Sequence, residues 1–226
     1  MEASSANQLI VEGKDDLYFV VNLLKAYGVT WPESSRNRPI HVTDFQGKDN
    51  ILDAQKLAKA FEDLLYVAGN EEGVRNLGIL LDADTNAASK FESLRTLLSL
   101  YKLPPQLPIG GLIHGTEKLR IGIWIMPDNL NPGNLESLLQ TLIPANSKLL
   151  WRHAVSATEA ATAVGSQFRP VDQAKAELHT WLAWQDPPGR PYGTAIEARM
   201  LEVPNSSAAA FAKWLNDLYD LKINFT

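Results

Sequence analysis

The sequence predicts an α/β fold, with a mostly parallel sheet flanked by helices over residues 1–143 and a helical C-terminal extension over residues 144–226. Three observations predict it. Short apolar runs alternate with segments of helical periodicity through the first part of the chain, the pattern of a covered parallel sheet. Two of these runs stop abruptly at acids, Leu9-Ile10-Val11 at Glu12 and Leu80-Leu81 at Asp82. Beyond about Pro144 the strand signals disappear and only helical patterns remain.

The elements follow in order. Asn7–Val11 reads as a strand. Asp15–Tyr27 reads as a helix, with Leu17, Val20, Val21 and Leu24 on one face and Gly28 ending it. Pro32–Pro39 is a polar, proline-containing loop, and Ile40–Phe45 alternates apolar and polar residues as a second strand. Gln46–Asn50 is a turn, where Asp49 or Asn50 can cap a helix running to about Val67. Leu77–Leu81 is a third strand. Ala87–Tyr101 is a helix ended by Leu103-Pro104-Pro105. Gly110–Gly115 fits a short strand. Arg120–Met126 is a strong one, with Ile121, Ile123 and Ile125 alternating with Gly122, Trp124 and Met126. Leu135–Leu142, Lys148–Gly165, Val171–Trp184 and Ala208–Tyr219 read as helices. The run Asp186–Gly193 holds three prolines and two glycines, which argues against regular structure.

Composition narrows the chemistry. The chain has 226 residues, 45% of them hydrophobic, enough for a sizeable core. With no cysteine, disulfides, thiolate zinc sites and cysteine nucleophiles are excluded. That composition, and an N-terminus without the pattern of a signal peptide, fit a cytoplasmic protein. No apolar run is long enough to span a membrane. A net charge of −5 argues against broad, non-specific duplex binding, though it leaves room for a local basic patch around Lys14, Lys48, Lys118 and Arg120.

Acids at strand ends are the candidate site. In open α/β sheets the carboxyl edge is where ligands bind. Glu12, Asp82 and Asp84 gathered there would repel one another. A divalent cation with hard oxygen ligands relieves that repulsion, and Mg²⁺ takes one or two carboxylates while keeping several waters.

The motifs Val11-Glu12-Gly13-Lys14-Asp15-Asp16, Phe45-Gln46-Gly47-Lys48-Asp49-Asn50 and Leu81-Asp82-Ala83-Asp84 together resemble the Toprim fold, a Rossmann-like α/β architecture. The first motif is similar to that of single-domain Toprim maturases of ribosomal RNA. Met126-Pro127-Asp128-Asn129, with the later Leu135-Glu136 helix, resembles OLD-family nucleases. The whole chain is most similar to a small uncharacterised Toprim-like family whose members end in a His-Thr-Trp-Leu-Ala-Trp-Gln segment, here His179–Gln185. The resemblance covers roughly Asn7 to Leu142. No helicase, ATPase or DNA-gate tyrosine region accompanies it. It implies metal-dependent phosphodiester chemistry on DNA or RNA. Glu12 would be a ligand or general acid/base, Asp82 and Asp84 would hold Mg²⁺ or Mn²⁺, and Asp16 would face the same ion. Asp128 and Glu136 would serve a second ion, and Lys14 or Lys48 would neutralise a phosphate.

The same residues also fit structural roles. Asp82 and Asp84 fit a turn and N-cap before the Ala87 helix, and Glu12 fits an isolated surface acid. Asp15 and Glu136 fit acids favoured by a helix dipole, and Asp128 fits a turn. His179, Trp181 and Trp184 fit packing of the extension. His41, His114 and His153 show no zinc spacing. Receivers and haloacid-dehalogenase-type phosphatases also place acids at strand ends, but the order here, Glu-Gly after the first strand and Asp-x-Asp after the third, favours the Toprim pattern over both. The alternative to an enzyme is a non-catalytic module that binds a protein partner and retains the fold and a divalent metal.

Overall fold

A computed structural model describes residues 6–59, 75–99, 113–115, 119–203 and 206–225. Five strands form one sheet in the order β2-β1-β3-β5-β4, where β1 is Asn7–Val11, β2 His41–Asp44, β3 Arg75–Asp82, β4 Ile113–Gly115 and β5 Leu119–Met126. The neighbours among β2, β1, β3 and β5 run parallel, and β4 pairs antiparallel with β5 at the edge. The predicted parallel α/β sheet is therefore present. Lys118, the later part of the helix expected to reach Val67, Leu103-Pro104-Pro105 and the start of the Gly110 segment lie outside the described residues.

Pleating decides which strand residues face which layer. Ile10, Leu77, Ile79, Leu81, Ile121, Ile123 and Ile125 are buried on one face, against Phe91, Leu94 and Leu98 of α3 (Ala87–Ser99). Ile51, from the short helix α2 (Lys48–Ile51), and Leu57 join that layer. The opposite face carries Leu9, Val11, Leu80, Trp124 and Met126, and it meets α1 (Lys14–Ala26), α4 (Leu135–Thr141) and the C-terminal helices. On α1 the buried stripe is Phe19, Val20, Leu23 and Leu24; the expected face is rotated, leaving Leu17 and Val21 only half-buried.

The C-terminal helices are α5 (Lys148–Ala163), α6 (Gln173–Ala183), α7 (Tyr192–Glu197) and α8 (Ser206–Tyr219). Helix α8 lies on the sheet over two glycines in register, Gly78 and Gly122. A Cβ at Gly122 would stand 2.8 Å from Leu218 Cδ2, and one at Gly78 would meet the Tyr219 hydroxyl. The glycines thus permit a close approach that a side chain would block. Tyr219 in turn donates a 2.6 Å hydrogen bond to the Gln8 carbonyl. Rings of Phe19, Trp124, Phe211 and Trp214 pack at centroid separations of 5.2–5.8 Å, within the range of favourable aromatic pairs.

Helix α7 departs from the expectation for the Pro/Gly run. It starts at Tyr192, inside the stretch read as irregular, directly after Pro191 at the N-cap. Proline at a helix start is tolerated because the first N–H groups have no intrahelical partner. Tyr192, Ala195 and Ile196 are buried in the layer shared with α1. Among the described residues, no helix is long and apolar enough to cross a membrane.

Candidate functional site

The acids sit where the apolar runs led them. Glu12 follows the last residue of β1, and Asp82 is the last residue of β3, its parallel neighbour. Both lie at the carboxyl edge. The Asp82 N–H donates to Glu12 Oε1 at 2.9 Å, so the two strand ends are tied through the Glu12 carboxylate. The turn after β2 is tied to the same point, since the Phe45 N–H donates to the Val11 carbonyl and the Gly47 N–H to the Glu12 carbonyl. Gly47 has a φ of 122°, in the region only glycine enters without strain. Helix α4 is fastened from the other side, where its first N–H, that of Leu135, donates to Asp82 Oδ1 at 3.0 Å. A free N–H at a helix start is satisfied this way by a carboxylate.

Asp16 enters from α1. It is 8% exposed, and its Oδ2 accepts the Gly13 N–H at 2.9 Å, closing a capping arrangement around the helix start. Glu136, in the first turn of α4, is 7% exposed. These groups line a cleft of about 420 Å³ together with Lys14, Asp15, Asp44 and Lys175. Lys175 comes from α6; its Nζ lies 3.4 Å from Asp15 Oδ2 and 3.8 Å from Glu136 Oε1.

Crowding shows in the protonation of the acids. Burial raises Glu12, opposed by the Asp82 N–H and by Lys90 and Lys48, and reinforced by Asp84. Burial and the neighbouring Glu12, Glu136 and Asp15 charges push Asp16 up to about 7 against the Gly13 hydrogen bond. Asp82 is raised well above the usual carboxylate range by burial and by Asp16, Glu12 and Glu136. Carboxylates that share a poorly solvated cleft cannot all ionise without a compensating cation.

Two predicted ligands are placed differently. Asp84 lies beyond the end of β3, with a φ of 52° and a two-way backbone bridge to Gly133. Its Oδ2 accepts from Lys48 Nζ at 2.8 Å and pairs with Lys90 Nζ at 2.7 Å. Burial alone would raise Asp84, but the two ammoniums outweigh it and hold the carboxyl below its ordinary range. The same contact with Asp84 raises Lys48. Neither Asp84 nor Lys48 lines the cleft. Asp128 is folded into its own turn, with Oδ1 accepting from the Leu130 and Asn131 N–H groups and Oδ2 from Asn131 Nδ2. The structure therefore brings Glu12, Lys14, Asp16, Asp82 and Glu136 to one cleft, and leaves Asp84 with Lys48 beside it and Asp128 apart.

Sequence reading passed over three side chains, Lys90, Lys175 and Tyr192. Lys90 stands in the first turn of α3, soon after Asp84, and that spacing was the available signal. Lys175 and Tyr192 come from the extension, and nothing local to their sequence marks them. The Tyr192 hydroxyl donates to Glu136 Oε1 at 3.2 Å and lies 3.1 Å from His179 Nε2. His179 and Trp181 do pack, as expected: Trp181 is fully buried and the His179 ring stacks on Tyr192 at 5.0 Å.

A divalent cation suits the donor chemistry of the cleft, which offers hard carboxylate oxygens in surroundings that raise their protonation. No three acid or histidine side chains among the described residues are gathered as ligands of one ion. The fit is thus to a hydrated ion such as Mg²⁺, which needs only one or two carboxylates and fills its shell with water.

A search of curated proteins and a search of solved structures give no match to the chain. A family model described as protein of unknown function (DUF3226) matches residues 6–220. Spanning β1 through the end of α8, that match covers both the sheet and the extension, and the chain belongs to the DUF3226 family.

Proposed function

We propose that the acidic cleft binds Mg²⁺ or Mn²⁺ and carries out Toprim-type phosphodiester cleavage on DNA or RNA. The observation that supports this reading is the convergence of Glu12, Asp16 and Asp82 at the carboxyl edge, each with its protonation raised. A bound ion supplies Lewis-acid activation of water and shields charge on the phosphoryl group. The chain's own residues do the rest. Glu12, whose carboxyl is raised above its ordinary value chiefly by burial, is placed at the cleft to exchange a proton. The carboxylates of Asp82, Asp16 and Glu136 are the ones available to hold the ion. Lys14 and Lys175 on the rim offset phosphate charge, so nucleic-acid binding weakens steeply with salt.

The test is nicking or trimming of supercoiled plasmid, single-stranded DNA, structured RNA and short duplexes with each metal. Glu12→Gln should abolish turnover while the protein stays folded, because the amide keeps the shape but neither accepts a proton nor binds metal well. Turnover that persists in Glu12→Gln assigns the activity elsewhere.

A second reading, a non-catalytic binding module, draws support from the two lysines that already neutralise Asp84 and from Lys175, which reaches over the acids from the extension. It predicts no turnover on any substrate from folded, metal-loaded protein.

A further inference from the structure

Besides Lys175, the extension meets the cleft through a chain of polar groups. Tyr192 is 1% exposed and Glu136 7%. The single proton of the Tyr192 hydroxyl is directed to Glu136 Oε1. The 3.1 Å contact between that hydroxyl and His179 Nε2 is then a bond in which the ring nitrogen donates to the tyrosine oxygen. The chain therefore runs His179 Nε2–H to Tyr192 Oη–H to Glu136 Oε1. Stacking at 5.0 Å holds the two rings together. Glu136 sits on α4 of the core, whereas His179 and Tyr192 sit on α6 and α7 of the extension.

We propose that Tyr192, oriented by His179, is a positioning residue that holds Glu136 on the cleft, so that the C-terminal extension completes the site. The proposal rests on the metal reading above. Glu136 is buried in the first turn of a short helix and has two described partners, the tyrosine hydroxyl and the more distant Lys175 at 3.8 Å. Lys175 is about half exposed and also reaches Asp15, so it constrains Glu136 less than a buried hydroxyl does. A donated hydrogen bond fixes the direction of a ligating carboxylate, and loss of such an outer partner weakens metal affinity about 10–100-fold. Because the donor is on the extension and the acceptor on the core, docking of α6 and α7 is linked to the shape of the cleft.

The test is Mn²⁺ binding by electron paramagnetic resonance on the full chain, with melting temperatures of each metal-free variant as the folding control. Tyr192→Phe keeps the buried ring and removes only the hydroxyl. It should weaken Mn²⁺ binding about tenfold, with the variant still folded. Glu136→Gln should weaken it to a similar extent, and the double variant should be no worse than Glu136→Gln alone. Such non-additivity marks residues acting through one another, whereas a tyrosine that only packs gives no loss or an additive one. His179→Phe should weaken binding in the same direction, since it stacks but cannot donate. Wild-type binding retained by Tyr192→Phe or by Glu136→Gln overturns the positioning role and leaves the metal reading standing. A silent His179→Phe overturns the orienting role of His179. Wild-type protein that binds no Mn²⁺ overturns the metal reading, and the positioning role falls with it.

Discussion

Asp16 illustrates how one buried acid sets a pH dependence. Its pKa is about 7 in the folded protein against the ordinary 3.8 of a solvated aspartate. Below the lower value both folded and unfolded states hold the proton, and nothing is lost. As pH rises toward 7 the unfolded chain releases its proton first, so folding is progressively disfavoured. The metal-free protein should accordingly gain stability on acidification from pH 8 to about pH 5. Asp16→Asn should raise the melting temperature at pH 8 and gain little at pH 5. Thermal melts of the two proteins across that range check the sign, and an equal shift at both pH values would dissociate Asp16 from the effect. Asp84 behaves oppositely, being held down by Lys48 and Lys90. Lys48 is 44% exposed on its side chain, so Lys48→Ala should cost no more than about 1 kcal/mol, measured by urea denaturation.

At the scale of elements, the packing of α8 on β3 and β5 rests on two missing side chains. Gly122→Ala would place a methyl group 2.8 Å from Leu218 and 3.1 Å from the Trp214 ring. Overpacking of this kind costs about 1–3 kcal/mol. For a chain of this size each kcal/mol is worth about 2–4 °C of melting temperature. Gly78→Ala should cost more, because its methyl group meets both the Tyr219 hydroxyl and Leu9 and displaces the Tyr219 bond to Gln8. Both variants lie away from the cleft acids, so metal binding should survive in whatever fraction folds. A melting temperature unchanged in both would show that α8 can shift without loss. Most of the elements on either side of these contacts were readable, because apolar alternation on β5 and helical spacing on α8 are local patterns. Helix α7 was not. Its proline-rich lead-in dominates the local signal, and its burial against α1 depends on residues far away in the chain.

For the whole molecule, the clustered acids link metal to stability. An ion that binds only the folded state at about a hundredfold excess over its Kd adds about 2.7 kcal/mol, or roughly 5–11 °C in melting temperature at 2–4 °C per kcal/mol. Mg²⁺ or Mn²⁺ should produce a shift of this order. Asp82→Asn should remove most of it and, by relieving repulsion among the cleft acids, should lessen the metal-free penalty. Calorimetric scans with and without metal decide the point. A shift undiminished in Asp82→Asn would place the ion elsewhere.

By itself the sequence determined the alternation of strands and helices, the parallel sheet, and the arrival of Glu12 and Asp82 at its carboxyl edge. Those features follow from hydrophobic period and from where apolar runs stop, both of which are local. Tertiary structure alone decided the membership of the cleft. Asp84 is two residues from Asp82, yet its positive φ and the bridge to Gly133 accompany its pairing with Lys48 and Lys90, outside the cleft lining. Asp128 is spent on its own turn. Glu136 gains Tyr192 and Lys175, which follow it in the chain by dozens of residues. Side-chain neighbours of that kind depend on how helices dock across the sheet, and docking is set by long-range burial that no local pattern encodes.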